Sequence, residues 1–174
     1  MRSSLAACSS PPVHRAMRNS ALGAVAVNFA LAFTLAGCGG MFARKPPESV
    51  EILARPQTSP RASVKHILIG WSWLAAAYRQ SGLTLDARAE GRNQTDAEHL
   101  AADLLARLKV GEPIEPLMKQ FSEDEGSAQS GIAYPVTPAS RMADDFLELS
   151  LRLNVGESGI VKSKYGYHVI QRVQ

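Results

Sequence analysis

The C-terminal stretch, residues 156–173, constrains the fold more than any other part of the chain. A β-branched run, Ile160-Val161, leads to a turn at Lys164-Tyr165-Gly166, and an apolar run through Val169-Ile170 leads out. The pattern is that of a β-hairpin. One histidine, His168, stands just after the turn, inside the second strand. A strand residue beside a turn can point a titratable ring into a site while the sheet holds its backbone still.

Upstream, residues 63–69 form a second β-branched segment, with Lys65 and His66 set between apolar residues. Residues 70–94 read as a loop with one helical turn near 74–79. Its aromatics, Trp71, Trp73 and Tyr78, fit either a binding lip or a cap on the core. Thr95 and Glu98 have the spacing of a capping box, and the helix they open carries Leu100, Leu104, Leu105 and Leu108 before Gly111 ends it. A second helix opens at Glu112-Pro113 with Ile114, Leu117, Met118 and Phe121 at helical spacing; Pro116 is tolerated there in the first turn.

An acidic loop follows at 121–131, with Glu123, Asp124 and Glu125 adjacent. It lacks the alternating oxygen ligands and closing Glu of an EF-hand, so no metal is expected. Residues 132–136 read as a short strand, and Pro138 starts a third helix carrying Met142, Phe146, Leu147 and Leu151. The order of strand, helices, strand, helix and hairpin is α+β, a small antiparallel sheet covered by helices.

Charge separates the N-terminal end from the rest. Residues 1–37 hold three arginines and no acidic residue, which accounts for the whole formal charge of +3. The remainder balances 16 basic against 16 acidic residues, which gives no support for nucleic-acid binding. Residues 21–36 are almost wholly apolar and follow basic residues, as in a signal peptide; a leader of compact shape begins at Met17. The stretch ends in Leu35-Ala36-Gly37-Cys38, which resembles the lipobox of bacterial lipoproteins. That likeness implies a signal peptide over 1–37, lipidation of Cys38 and a membrane anchor, on the outer membrane facing the periplasm where two membranes exist. Residues 38–62, rich in Pro and Gly, are expected to be a flexible tether. The two cysteines, Cys8 and Cys38, both precede the folded part, which therefore has no thiol chemistry.

Taken in order, His66 in its strand, the loop from Phe121 to Ala128, Met142 four before Phe146, Val155-Gly156-Glu157-Ser158 and Tyr165-Gly166-Tyr167-His168 resemble the parvulin family of peptidyl-prolyl cis-trans isomerases, in its bacterial extracytoplasmic branch. The resemblance implies a four-stranded antiparallel sheet covered by about four helices, in a domain over 63–174. It implies rotation about Xaa-Pro bonds of exported proteins, with proline-containing unfolded or extended polypeptides as partners and no cofactor or nucleotide. His66 and His168 match the family's central histidines, Asp124 the position opposite the substrate carbonyl, Ser163 the hydroxyl of the histidine network, and Met142 with Phe146 the proline pocket. One departure stands out. Where the family has Gly-Asp-Leu-Gly, this chain has Gly131-Ile132-Ala133-Tyr134. Ala133 is expected in place of the leucine that walls the pocket, leaving it wider unless Tyr134 refills it. The alternative is a catalytically weak chaperone or peptide-binding module of the cell envelope.

Overall fold

The computed structural model describes residues 47–174; the leader and Cys38 lie outside them. Two long strands form the centre, β1 (Ala62–Ile69) and β4 (Gly166–Arg172), flanked by β2 (Tyr134–Val136) beside β1 and β3 (Ser158–Ser163) beside β4. The order is β2-β1-β4-β3 and every pairing is antiparallel. The expected hairpin is β3–β4, closed by Lys164-Tyr165.

Gly166 is what allows the hairpin tip to meet the end of β1. Its φ is +140°, and a Cβ there would stand 2.5 Å from the Ile69 carbonyl oxygen, so no side chain fits.

Alternation along the strands sorts residues onto two faces. One face presents Ile67, Ile69, Ile160, Tyr167 and Val169 to two helices, α4 (Gln94–Lys109) and α5 (Ile114–Phe121). The other presents Val64, Val161 and Ile170 to α7 (Asp144–Arg152) through Phe146, Leu149 and Leu151. The histidines at 66 and 168 and Ser163 share this second face by the same period of two.

Seven α-helices are present among the described residues, more than the four expected. The extra ones are short, α1 (Val50–Leu53), α3 (Ala87–Glu90) and α6 (Glu125–Ser130), while the short α2 (Ala75–Gln80) stands where one helical turn was expected. The acidic stretch is thus a helix from Glu125 onward. Helix α4 begins at Gln94 under an Asn93 cap, whose side chain accepts from the Asp96 N–H at 2.9 Å, not at the Thr95 box. Asn and Thr compete for the same role, and Asn93 is the one with an extended backbone that aims its oxygen at the first turn. Helix α7 starts at Asp144, so Met142 lies in the turn before it, not four residues along the same helix as Phe146. Trp71 is buried in the core, whereas Trp73 is 78% exposed.

The tether expected over 38–62 is, from Ser49 on, part of the folded domain. Ser49 donates its N–H to the Ile160 carbonyl (2.8 Å), and its Oγ accepts the Ile160 N–H (2.9 Å). These bonds cover the outer edge of β3, which would otherwise offer unpaired groups to another chain. Ile52 is buried against Leu149, and Arg55 grips Glu157 through two contacts of 2.6 and 2.7 Å.

Candidate active site

Strand register places the polar residues of the second face on a diagonal. His66 pairs directly with Ile170, and His168 with Leu68 and Val161. The two imidazoles are therefore diagonal neighbours, within reach of aromatic side chains, and Ser163 stands one diagonal step further. Ser163 Oγ lies 2.7 Å from His168 Nε2, and His168 Nδ1 lies 3.4 Å from His66 Nδ1. His66 Nε2 then lies 2.9 Å from Asp124 Oδ2. Asp124 sits at the N-cap of α6, and its Oδ2 also accepts from Ser127 Oγ (2.8 Å) and the Tyr134 hydroxyl (3.0 Å).

The hydrogen-bond string has a consistent direction. Ser163 Oγ accepts the Tyr165 N–H at 3.1 Å, which turns its own hydroxyl proton toward His168 Nε2. His168 then carries its proton on Nδ1 and donates to His66 Nδ1; His66 in turn donates from Nε2 to Asp124.

Electrostatics agree with this assignment. Burial pushes His168 down to about 3, with His66 adding to the effect and Asp124 opposing it, so the ring is neutral near neutrality. The bond from His66 holds Asp124 well below the usual carboxylate range against the effect of burial; Ser127 and Tyr134 add to it. Asp124 is thus an acceptor, and Tyr134, raised by burial and then by Asp124, keeps its proton.

Phe146, in the first turn of α7, sets its ring at steep angles to both imidazoles, with centroids 5.2 Å from His66 and 5.3 Å from His168. With Met142, Ala143, Tyr134 and Tyr165 it completes a cleft of about 240 Å³ over the histidines and Asp124. That is below the size of pockets for drug-sized ligands and suits a small ring. A second cavity of about 360 Å³ shares His66, Asp124, Tyr165 and His168 with the first and continues past Tyr78, Leu83 and Glu125. Among the described residues no lysine or arginine lines either cavity.

Of the residues expected at the site, His66, His168, Asp124, Met142, Phe146 and Tyr134 line the cleft. Ser163 lies behind it, bonded to His168. Ala133 does not line it; Tyr134 stands at the wall, its ring centroid 5.5 Å from that of His66. Of the two alternatives, a wider pocket or one refilled by Tyr134, the cleft wall has the Tyr134 ring. Ser127 and Tyr165 were not foreseen. Ser127 had a signal, since it follows Asp124 by three residues, but only if a helix starts between them.

Glu123, Asp124 and Glu125 diverge. Glu123 accepts from Arg92 Nη1 at 2.6 Å and from the Gly70 N–H at 2.6 Å, tying the 70–94 segment to the core. Arg88 is similarly engaged with Asp86 and with the Ser122 carbonyl. Neither arginine is placed to meet a phosphate in the cleft.

A serine, two histidines and an aspartate in a row invite comparison with a hydrolase triad. The order opposes that reading. Ser163 is at the buried end of the string and absent from the cleft wall, so its hydroxyl does not face a substrate as a triad nucleophile would. The wall instead combines apolar surface with fixed, neutral or acceptor groups.

Comparisons with known proteins agree with this geometry. Residues 50–174 match the family model described as the PPIC-type PPIase domain. The chain is 35% identical over 109 residues to the chaperone SurA of Chromohalobacter salexigens, covering 62% of this chain and 21% of that protein. It is 39% identical over 75 residues to the foldase protein PrsA of Geobacillus kaustophilus, covering 42% of this chain and 27% of that one. The chain thus matches only about a fifth to a quarter of the length of these relatives. Among solved structures, the peptidyl-prolyl isomerase ESS1 of Candida albicans shares the fold, with a TM-score of 0.54 at 21% identity, over 66% of this chain and 63% of that one.

Proposed function

The chain belongs to the PPIC-type peptidyl-prolyl isomerase family, and on that premise we propose that it is a peptidyl-prolyl cis-trans isomerase acting on Xaa-Pro bonds of exported polypeptides. The observation that supports this most is the composition of the cleft, an apolar seat for a ring beside a fixed polar wall. The reaction makes and breaks no covalent bond. An Xaa-Pro amide must rotate past a barrier of roughly 18–20 kcal/mol, and uncatalysed exchange takes about tens to hundreds of seconds. The barrier is lost resonance, so catalysis requires tighter binding of the twisted amide than of either planar form.

Phe146 and Met142 grip the proline ring and fix one side of the bond. Asp124 and the His66/His168 pair face the carbonyl as it turns, and the second cavity receives the neighbouring chain. A small dry cleft disfavours the charge-separated planar amide, which lowers the barrier further. The carboxylates at the cavity walls would repel a phosphate, which favours unphosphorylated substrates. Exchange spectroscopy on an Ala-Pro tetrapeptide tests the proposal: cis–trans exchange is expected to quicken with added protein. Exchange at the buffer rate, for folded protein, overturns it.

The same chain acts as a folding helper held to a membrane through a lipid on Cys38. Mass spectrometry of the expressed protein checks the lipid, and Cys38→Ala is expected to move it from the membrane to the soluble fraction.

A second reading, a module that holds unfolded chains without catalysis, is favoured by Leu83, 49% exposed at the second cavity, and by the name of the SurA relative, a chaperone. Suppressed aggregation of a client lacking proline, with no isomerase activity, supports that reading instead.

A further inference from the structure

Three donors converge on one oxygen of Asp124, and they come from three different elements: His66 from β1, Ser127 from α6 and Tyr134 from β2. Among the described residues no protein donor reaches the other oxygen, Oδ1. Tyr134 and His66 both line the cleft, whereas Ser127 does not. The backbone of Tyr134 is fixed by pairing with Val64 on β1, and its ring rests against His66 with centroids 5.5 Å apart. Its hydroxyl therefore reaches Asp124 from a strand, across the mouth of the cleft, while Ser127 reaches it from within its own helix.

We propose that Tyr134 is a positioning residue with two separable parts. The ring walls the proline seat. The phenol pins Asp124 Oδ2 and so leaves Oδ1 aimed at the substrate. A carboxylate at a helix N-cap has freedom about χ2, and with only its own helix and His66 to hold it, its two oxygens can exchange places. A third donor from a separate element fixes the plane of the group. A substrate amide in rotation then meets a fixed acceptor, with no reorganisation needed during the turn. The seat and the pin belong to different atoms of the same side chain, which makes them separable by mutation.

This inference rests on the reading of the cleft as a prolyl isomerase site, and the test distinguishes the two. Tyr134→Phe keeps the ring and removes the phenol. With an Ala-Pro tetrapeptide it is expected to lower kcat about tenfold and leave KM within about twofold, the mark of an interaction realised in the transition state. Tyr134→Ala removes both parts and is expected to raise KM as well. The independent readout is the carboxyl carbon of Asp124, followed by NMR as pH is lowered. Its midpoint is expected to rise in Tyr134→Phe, because one hydrogen bond to the ionised form is gone. A wild-type kcat in Tyr134→Phe, a loss confined to KM, or an unmoved Asp124 midpoint overturns the proposal. If the wild-type protein catalyses no exchange, the isomerase reading falls, and the Asp124 titration still decides whether the phenol holds the carboxylate.

Discussion

The two faces of the sheet are built from the same strands, offset by one residue. On the face toward α4 and α5, Ile67, Ile69, Ile160 and Val169 are completely buried and pack with apolar neighbours such as Leu104, Leu117 and Met118. On the face toward α7, the same strands place His66, His168 and Ser163 between Val64, Val161 and Ile170. The first face is closed mainly by nonpolar contact, with only a Lys65–Glu115 ion pair and a Gln94–Tyr167 contact at its margins among the described residues. The second needs partners for each ring nitrogen, and it finds them in Ser163, in the other histidine and in Asp124 on α6. A buried polar group without a partner costs about 1–3 kcal/mol, so the second face is stable only as a complete string. One face thus holds the fold, and the other holds a site that the fold must accommodate.

Phe146 belongs to both roles and is the strongest test of the division. It packs in the core of the second face and also walls the cleft. Phe146→Ala is expected to lose most isomerase activity and about 3–5 kcal/mol of stability, read by exchange spectroscopy and by urea titration. Leu104→Ala acts on the first face alone. It is expected to cost about 2–5 kcal/mol, while the activity of the protein that remains folded stays near the wild-type value. Equal losses of specific activity in the two variants would break the distinction between the faces.

The difference between the faces also governs what could be read from the sequence. Strand alternation and the motifs around His66, Asp124 and His168 are local, so the sheet, the hairpin and the main site residues were legible. Met142 and Phe146 were found at the cleft, although the helix expected to carry both starts after Met142, because the 3.6-residue spacing did not reveal where the helix begins. The turn expected near 74–79 is α2, but the short helices α3 and α6 have too few residues to show a period. Ser49 could not be placed because its partners belong to Ile160, 111 residues away, and only an assembled β3 has an edge to cover. Tyr134 was legible only as a departure from a family pattern. Its bond to Asp124 joins β2 to α6, and nothing local to either segment announces it.

Acid provides a finer comparison, since only the second face contains histidine. His168 has its folded value pushed down to about 3 from an ordinary 6.5. Between these values the unfolded chain binds a proton that the folded chain does not. Its contribution is therefore fully present above about 6.5 and declines as pH falls toward about 3, with a slope of up to about 1.4 kcal/mol per pH unit. His168→Leu removes the titrating group. Urea titrations between about pH 4.5 and 6, above the ordinary range of Asp124, are expected to show a shallower slope in this variant than in the wild type. An unchanged slope would mean that His168 is not held neutral by its surroundings.

The smallest expected effect lies at the start of α4, which packs on the first face and touches no part of the cleft. Asn93 accepts the Asp96 N–H there, whereas Thr95, read from its spacing with Glu98 as the cap, falls inside the helix. The two alternatives make opposite predictions. Asn93→Ala is expected to cost about 0.5–2 kcal/mol, because it leaves a first-turn N–H without its acceptor. Thr95→Ala is expected to be neutral or slightly stabilising, since alanine is the better residue inside a helix. Neither change is expected to alter isomerase activity at temperatures where both variants are folded, because α4 supports the sheet from the side away from the histidines. Thermal unfolding and the exchange assay on the same two samples check both statements. A loss of activity without a loss of stability in Asn93→Ala would show that the first face reaches the cleft after all, through β1 and β4.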